Sequence, residues 1–279
     1  MIKIVTDSTA YLPDDCVREH DIRVVPLCVH FGQEAFKEGV ELSNQEFYAR
    51  LKEAPELPTT SQPSAGEFHQ VFEELANANH EILALTISHK LSGTYNSAIA
   101  AQQMLPDAQI SVVDSLSTAV GLQLMVEAAI AAVAAGATRQ EIVQQIEEIK
   151  AKIHFLFVVD TLEYLAKGGR IGNARAFLGT LLKIKPILAL QDGAIEPLEQ
   201  VRSKRKALAQ MLDLVEGYVD GNGSQARAAI THALVPEDAD DVRRELVSRL
   251  GCEEVPLSHL GPVIGTHTGP GVVGIAVYI

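Results

Sequence analysis

The chain has 279 residues, 47% hydrophobic and 21% charged, a composition that supports a sizeable core without disulfide or metal staples. Its 23 Lys and Arg against 36 Asp and Glu leave a net charge of -13. That balance argues against nucleic-acid binding, since affinity for a polyanion comes from neutralising its phosphates. Three scattered cysteines, Cys16, Cys28 and Cys252, fit reduced thiols better than a disulfide framework or a zinc site.

The N-terminal MIKIVTDST reads as a strand over residues 2–5 running into a turn at Asp7-Ser8-Thr9, without a signal-peptide pattern. Residues 23–31 form a second extended run ending at Gly32. Apolar spacing predicts helices over residues 44–52, 65–75 and 95–104, with strands at 82–87 and 110–113. Residues 119–137 are about as long as a membrane span. They are mostly Ala and carry Gln123 and Glu127, so they read as a buried helix in a cytoplasmic protein. An amphipathic helix at residues 139–152 follows. Strand–helix alternation of this kind predicts a mostly parallel sheet covered on both faces.

Beyond residue 153 the pattern changes. An apolar strand at 154–159 precedes a helix and a Gly-rich turn, and strands 186–190 and 194–198 flank the hairpin signal Asp192-Gly193. Helices at 205–219 and 238–250, a strand at 228–233, a Gly-rich loop and a final strand at 272–279 complete the chain. The expected fold is α/β in two domains: residues 1–153 with a mostly parallel sheet, and 154–279 as α+β with a mixed or antiparallel sheet.

Four polar segments interrupt this scaffold. LPTTSQPS at residues 57–64 is a stiff loop in which Ser64 and Glu67 form a capping box; Thr60 and Ser61 are left over as candidate ligand groups. SHKLSGTYNS at 88–97 joins a strand to a helix, where ligands of parallel sheets gather. There Ser92 either caps the helix or offers a hydroxyl to an anion, with Gly93 allowing close backbone approach. LEYLAKGGRIGN at 162–173 ends a helix at glycines, beside Arg170; a structural reading and an anion-contacting one both fit. VIGTHTGPGVVG at 263–274 places His267 between Thr266 and Thr268, more donors than a turn requires. None of these offers a nucleophile elbow, paired catalytic carboxylates or a metal-ligand cluster. The set suits recognition of an anion. The competing expectation is an enzyme for a small anionic metabolite with His267 as general acid or base, which a polar, closed pocket would favour. A regulator of transcription is disfavoured by the charge.

In order along essentially the whole chain, IVTDST, TSQPS, SGTYNSA, TLEYLAKGGRIG, KPIL, DGAIEPLEQVRSK and GTHTGPG resemble the DegV family. Each piece alone is modest; the ordered set is specific. The resemblance implies two α/β domains with a long-chain fatty acid, such as palmitate or oleate, in a tunnel between them, and no catalytic residue, metal or cofactor. It implies a binding subunit that presents the acyl carboxylate to a fatty acid kinase and releases acyl-phosphate to phospholipid synthesis. The carboxylate would meet Thr60 and Ser92, with His267 and Thr268 close by and Ser61 adjoining. Arg170 of the GGR motif would support the site or face the partner. Apolar faces of the Ala-rich helix and of residues 176–182 are candidates for the tunnel wall.

Arg202, Lys204, Arg205 and Lys206 form the dense basic run of this acidic chain. It is either a solvated helix start or a docking surface for the kinase or an anionic membrane touched transiently. Without an exposed apolar repeat, the chain is expected to be monomeric.

Overall fold

The computed structural model describes residues 1–178, 184–252 and 254–279. The apolar run at the N-terminus forms β1 (Ile2–Asp7), followed by a single 3-10 turn (Ser8–Ala10) fixed by the Asp7 carboxylate, which accepts from the Thr9 amide at 3.0 Å. α1 (Asp14–Glu19) leads to β2 (Arg23–Val25). The extended run expected over 23–31 divides at Pro26, which has no amide to give to a ladder. β3 (Cys28–Phe31) therefore leaves the first sheet and pairs antiparallel with β4 (Glu34–Lys37).

α2 (Asn44–Glu53) and α3 (Ala65–Asn77) both start in capping boxes, Ser43 with Glu46 and Ser64 with Glu67. Between them lies β5 (Thr59–Ser61), a segment expected as loop, which adds to the free edge of β3. β6 (Glu81–Thr86), α4 (Thr94–Gln103) and β7 (Ile110–Asp114) complete an all-parallel sheet in the order β2-β1-β6-β7.

α5 (Ala119–Ala134) is apolar on nearly every side, with Gln123 donating to Glu127 at 2.9 Å, and a helix of that kind must be enclosed. Leu122, Met125 and Val126 join the core under the parallel sheet with Leu83, Leu85 and Val113. Ala119, Val120 and Leu124 join a second core with Phe155 and Ala229 from the other sheet. α6 (Arg139–Lys152) closes the first half of the chain.

The second sheet runs β10-β9-β8-β13-β11-β12, antiparallel except between β11 and β12. Its elements in chain order are β8 (His154–Val158), α7 (Glu163–Lys167), a 3-10 segment (Gly172–Phe177), β9 (Lys185–Gln191), β10 (Ala194–Val201) and α8 (Lys204–Val219). Then follow β11 (Arg227–His232), α9 (Pro236–Leu250), β12 (Leu257–His259), α10 (Pro262–Thr268) and β13 (Val273–Tyr278). Strand periodicity divides this sheet cleanly. Leu156, Val158, Ile187, Ile230 and Ile275 face α8 and α9, while Phe155, Phe157, Leu188 and Leu190 face α5 and the small sheet.

α10 corrects the expectation of a Gly-rich loop over residues 263–274. Pro262 stands at its first position and Gly269, at φ 72, ends it, so the helix is bounded by the usual Pro and Gly signals. Only Gly269-Pro270-Gly271 remains a turn. Among the described residues, no helix is long and apolar enough to cross a membrane.

Candidate functional site

A cavity lies between the parallel and the mixed sheet, apolar over most of its wall with a few convergent polar groups, as small-molecule sites usually are. Leu27, Ile87 and Ala119 wall it from the first half of the chain; Phe155, Phe157, Leu165, Leu190, Ile195 and Val272 wall it from the second. Five of the residues singled out from sequence also line it: Thr60, Ser92, Arg170, His267 and Thr268.

Thr60 is the central residue of β5, and pairing with Val29 fixes which way its side chain points. His267 occupies the last turn of α10. Thr60 Oγ1 and His267 Nε2 lie 2.8 Å apart. Burial first, and the Arg170 guanidinium second, push the imidazole down to about 4, so it is neutral near pH 7. Its Nδ1 is buried without a partner and faces Gly168, where any β-carbon would collide with it. That close approach explains why α7 stops in glycine, just ahead of Arg170.

Ser92 Oγ sits 2.8 Å from Thr94 Oγ1 and accepts weakly from the Thr94 amide at 3.4 Å, just ahead of α4. Arg170 donates through Nε to the Leu91 carbonyl (3.2 Å) and through NH1 to the Gly168 carbonyl (2.8 Å). The guanidinium thus ties the Ser92 loop to α7. It is half-buried, and among the described residues no carboxylate lies within ion-pair distance of it. Thr268 Oγ1 donates back to the Ile264 carbonyl at 2.9 Å, which leaves its lone pairs rather than its proton for other partners.

Ser61 and Gly93 are not part of the wall. Ser61 follows Thr60 on a strand and so points the other way, where its Oγ is 2.8 Å from His30 Nε2 at the surface. Gly93 gives room to the side-chain amide of Gln62, which would meet any β-carbon there. Gln62 itself lines the cavity, as do Thr118 and Thr231, and sequence reasoning passed over all three. Gln62 stood in view inside TSQPS. Thr118 and Thr231 had no motif around them; their hydroxyls are buried without partners. Next to Thr118, Ala119 holds φ 46, a left-handed conformation that costs a non-glycine residue on the order of 1–3 kcal/mol.

Of the tunnel-wall candidates, Ala119 of the Ala-rich helix lines the cavity, whereas residues 179–182 of the second segment lie outside the described residues. The basic run lies at the start of α8, which packs on the far face of the second sheet from the cavity. Arg202, Arg205 and Lys206 are exposed there, while Lys204 pairs with Asp238 at 2.9 Å. Among the described residues, no group of His, Cys, Asp or Glu could hold a metal ion.

The profile of a family described as "Uncharacterised protein, DegV family" matches residues 1–279. The chain belongs to the DegV family. A DegV domain-containing protein of Halalkalibacterium halodurans is 42% identical over 280 residues, covering 100% of this chain and 98% of the relative. Among solved structures, a fatty-acid-binding DegV family protein of Thermus thermophilus superposes with a TM-score of 0.94 at 36% identity, covering 99% of both chains. A stearic-acid-binding protein of Eubacterium ventriosum superposes with a TM-score of 0.93 at 29% identity, covering 100% of this chain and 98% of its own. The architecture of a parallel sheet, a mixed sheet and a small antiparallel one is thus a DegV fold from end to end.

Proposed function

We propose that this DegV protein holds one long-chain fatty acid, with the acyl chain in the cavity and the carboxylate at Thr60, Ser92, Arg170 and His267. The observation that carries the reading is an apolar cavity whose polar residues include an Arg without a carboxylate partner and a hydroxyl–imidazole pair. Such a wall disfavours an enzyme for a small polar metabolite. The fatty-acid-binding relatives supply the ligand class.

Burying about fifteen methylenes is worth on the order of 12 kcal/mol before the costs of association. Hydrogen bonds to a charged carboxylate add roughly 1.5–3 kcal/mol each. Affinity therefore resides in the wall, and the polar groups decide which end enters and where it stops. A neutral His267 matters for that choice. With the proton on Nε2, the imidazole donates to Thr60 and leaves the threonine hydroxyl free to donate to the carboxylate. With the proton on Nδ1, Thr60 would have to donate to the ring instead.

In this reading residues 1–153 and 154–279 act as two domains closing on the ligand. The protein works as a non-catalytic cytoplasmic carrier that presents the acyl carboxylate to a kinase for acyl-phosphate formation. Arg202, Arg205 and Lys206 supply a docking face for that partner or for an anionic membrane. Native mass spectrometry of freshly purified protein, followed by extraction of what is bound, tests the core of the proposal. A stoichiometric C14–C18 fatty acid is expected; a protein that is empty and refuses added palmitate and oleate would end the carrier reading.

A further inference from the structure

Glu38 lies between β4 and α2, only 4% exposed, and no sequence motif drew attention to it. Its carboxyl accepts three hydrogen bonds. Ser8 Oγ donates to Oε2 at 2.5 Å, Tyr11 OH donates to Oε1 at 3.2 Å, and the Val263 amide donates to Oε1 at 2.7 Å. Tyr11 OH in turn accepts from the Ile264 amide at 3.2 Å. Val263 and Ile264 are the second and third residues of α10, and such amides have no acceptor within their own helix. A side-chain cluster from the first forty residues therefore caps the helix whose last turn carries His267 and Thr268.

The same cluster reaches the cavity wall. Ser8 Oγ accepts from the Leu27 amide at 3.1 Å, and the Glu38 amide donates to the Leu27 carbonyl at 2.9 Å. Leu27 lines the cavity. α10 is seven residues long, about 10 Å at helical rise, too short to bend, so slack at Val263 is passed on to His267. Burying an acid is expensive, and a neutral or apolar side chain would fill the same space at less cost to stability. Burial indeed drives the Glu38 carboxyl up to about 7, against the lowering effect of Ser8, Val263 and Tyr11. An acid kept where stability disfavours it points to a second demand on the position.

We propose that Glu38 is the positioning residue of the ligand site: by capping α10 it sets His267 and Thr268 against Thr60, and through them the affinity for the acyl carboxylate. This rests on the fatty-acid reading of the cavity.

The test compares wild type, Glu38→Gln, Glu38→Ala and Tyr11→Phe by titration with palmitate, and follows the imidazole resonances of His267 and the exposed His20 by NMR. Gln can still accept from Val263 and donate to Ser8, so Glu38→Gln is expected to keep affinity within about threefold and leave His267 in place. Glu38→Ala is expected to bind palmitate about tenfold or more weakly, with the His267 resonance displaced and that of His20 unchanged. Tyr11→Phe, which removes a single hydroxyl, serves if Glu38→Ala does not fold; a smaller loss with the same displacement is expected. Wild-type affinity and an unmoved His267 in the folded variant would overturn the proposal. If wild type takes no fatty acid at all, the ligand reading fails, while the His267 displacement still decides whether Glu38 positions the helix.

Discussion

Thr60 and His267 stand 207 positions apart in the chain and 2.8 Å apart in the fold. One comes from a three-residue strand of the small sheet, the other from a helix inserted between the last two strands of the large one. Their meeting makes a neutral imidazole the partner of a hydroxyl at the wall of an apolar cavity.

Thr60→Val keeps the shape of the side chain and removes the hydroxyl. It deprives His267 Nε2 of its partner and, in the proposed carrier reading, the carboxylate of a donor. Palmitate binding is expected to weaken about tenfold, the equivalent of one hydrogen bond to a charged group, as measured by calorimetric titration. Unchanged affinity would remove Thr60 from the site.

Glu38 and His267 give stability opposite dependences on pH. Burial raises the Glu38 carboxyl from 4.5 to about 7, so between these values the folded protein keeps a proton that the unfolded chain has lost. Its contribution grows as pH falls from 7 toward 4.5 and is lost as pH rises through 7. Burial and Arg170 lower His267 from 6.5 to about 4, so the unfolded chain takes up the proton first and stability falls as pH drops from 6.5 toward 4. His232, lowered to about 4 by burial and His259, acts in the same sense as His267. Asp7, raised by burial, acts with Glu38. The groups around Glu38 are Asp7, Tyr11 and Tyr48, with His259 in the same cleft. Glu38→Gln removes the acidic slope, so its Tm is expected to fall relative to wild type on going from about pH 7.5 to about pH 5.5. Parallel Tm curves for the two proteins would contradict the assignment.

Thr231 is 1% exposed and its hydroxyl has no partner. An unpaired buried hydroxyl costs on the order of 1–3 kcal/mol, and valine matches its shape and suits a strand better. Thr231→Val is expected to raise stability by about 1 kcal/mol in chemical denaturation. A destabilised variant would mean that the hydroxyl is satisfied in solution.

Neutralising Arg202, Arg205 and Lys206 together is expected to reduce flotation with anionic vesicles while palmitate affinity stays the same, since α8 lies across the sheet from the cavity. Lys204 is already held by Asp238 and should contribute little. Vesicle binding that survives the triple change would return the run to an ordinary solvated helix start.

Long buried elements were legible in the sequence because their patterns are local. β1, β6 and β8 read as apolar runs and α5 as an enclosed helix. β5 and α10 were not, for a physical reason. Each is short and rich in Thr, and each is held by partners far away in sequence, β3 for the strand and Glu38 for the helix. Missing β5 also hid the alternation that separates Thr60, in the wall, from Ser61, at the surface. The residues Thr60, Ser92, Arg170, His267 and Thr268 were visible because Gly, Pro and clustered hydroxyls set their segments apart. Thr118, Thr231 and Glu38 carry no such surroundings, and only the fold places the two threonines at the cavity and Glu38 at the start of α10.

The path of α10 has a consequence in time. A chain made from its N-terminus can complete the parallel sheet, α5 and the β10-β9-β8 part of the second sheet before residue 267 exists, whereas β11 and β12 join that part only through β13. Thr60 and Ser92 then wait for an imidazole that arrives just ahead of the final strand. The nascent protein therefore has no finished candidate site to load until α10 has been made, and a chain truncated anywhere upstream of α10 would lack the site however well the remainder folded.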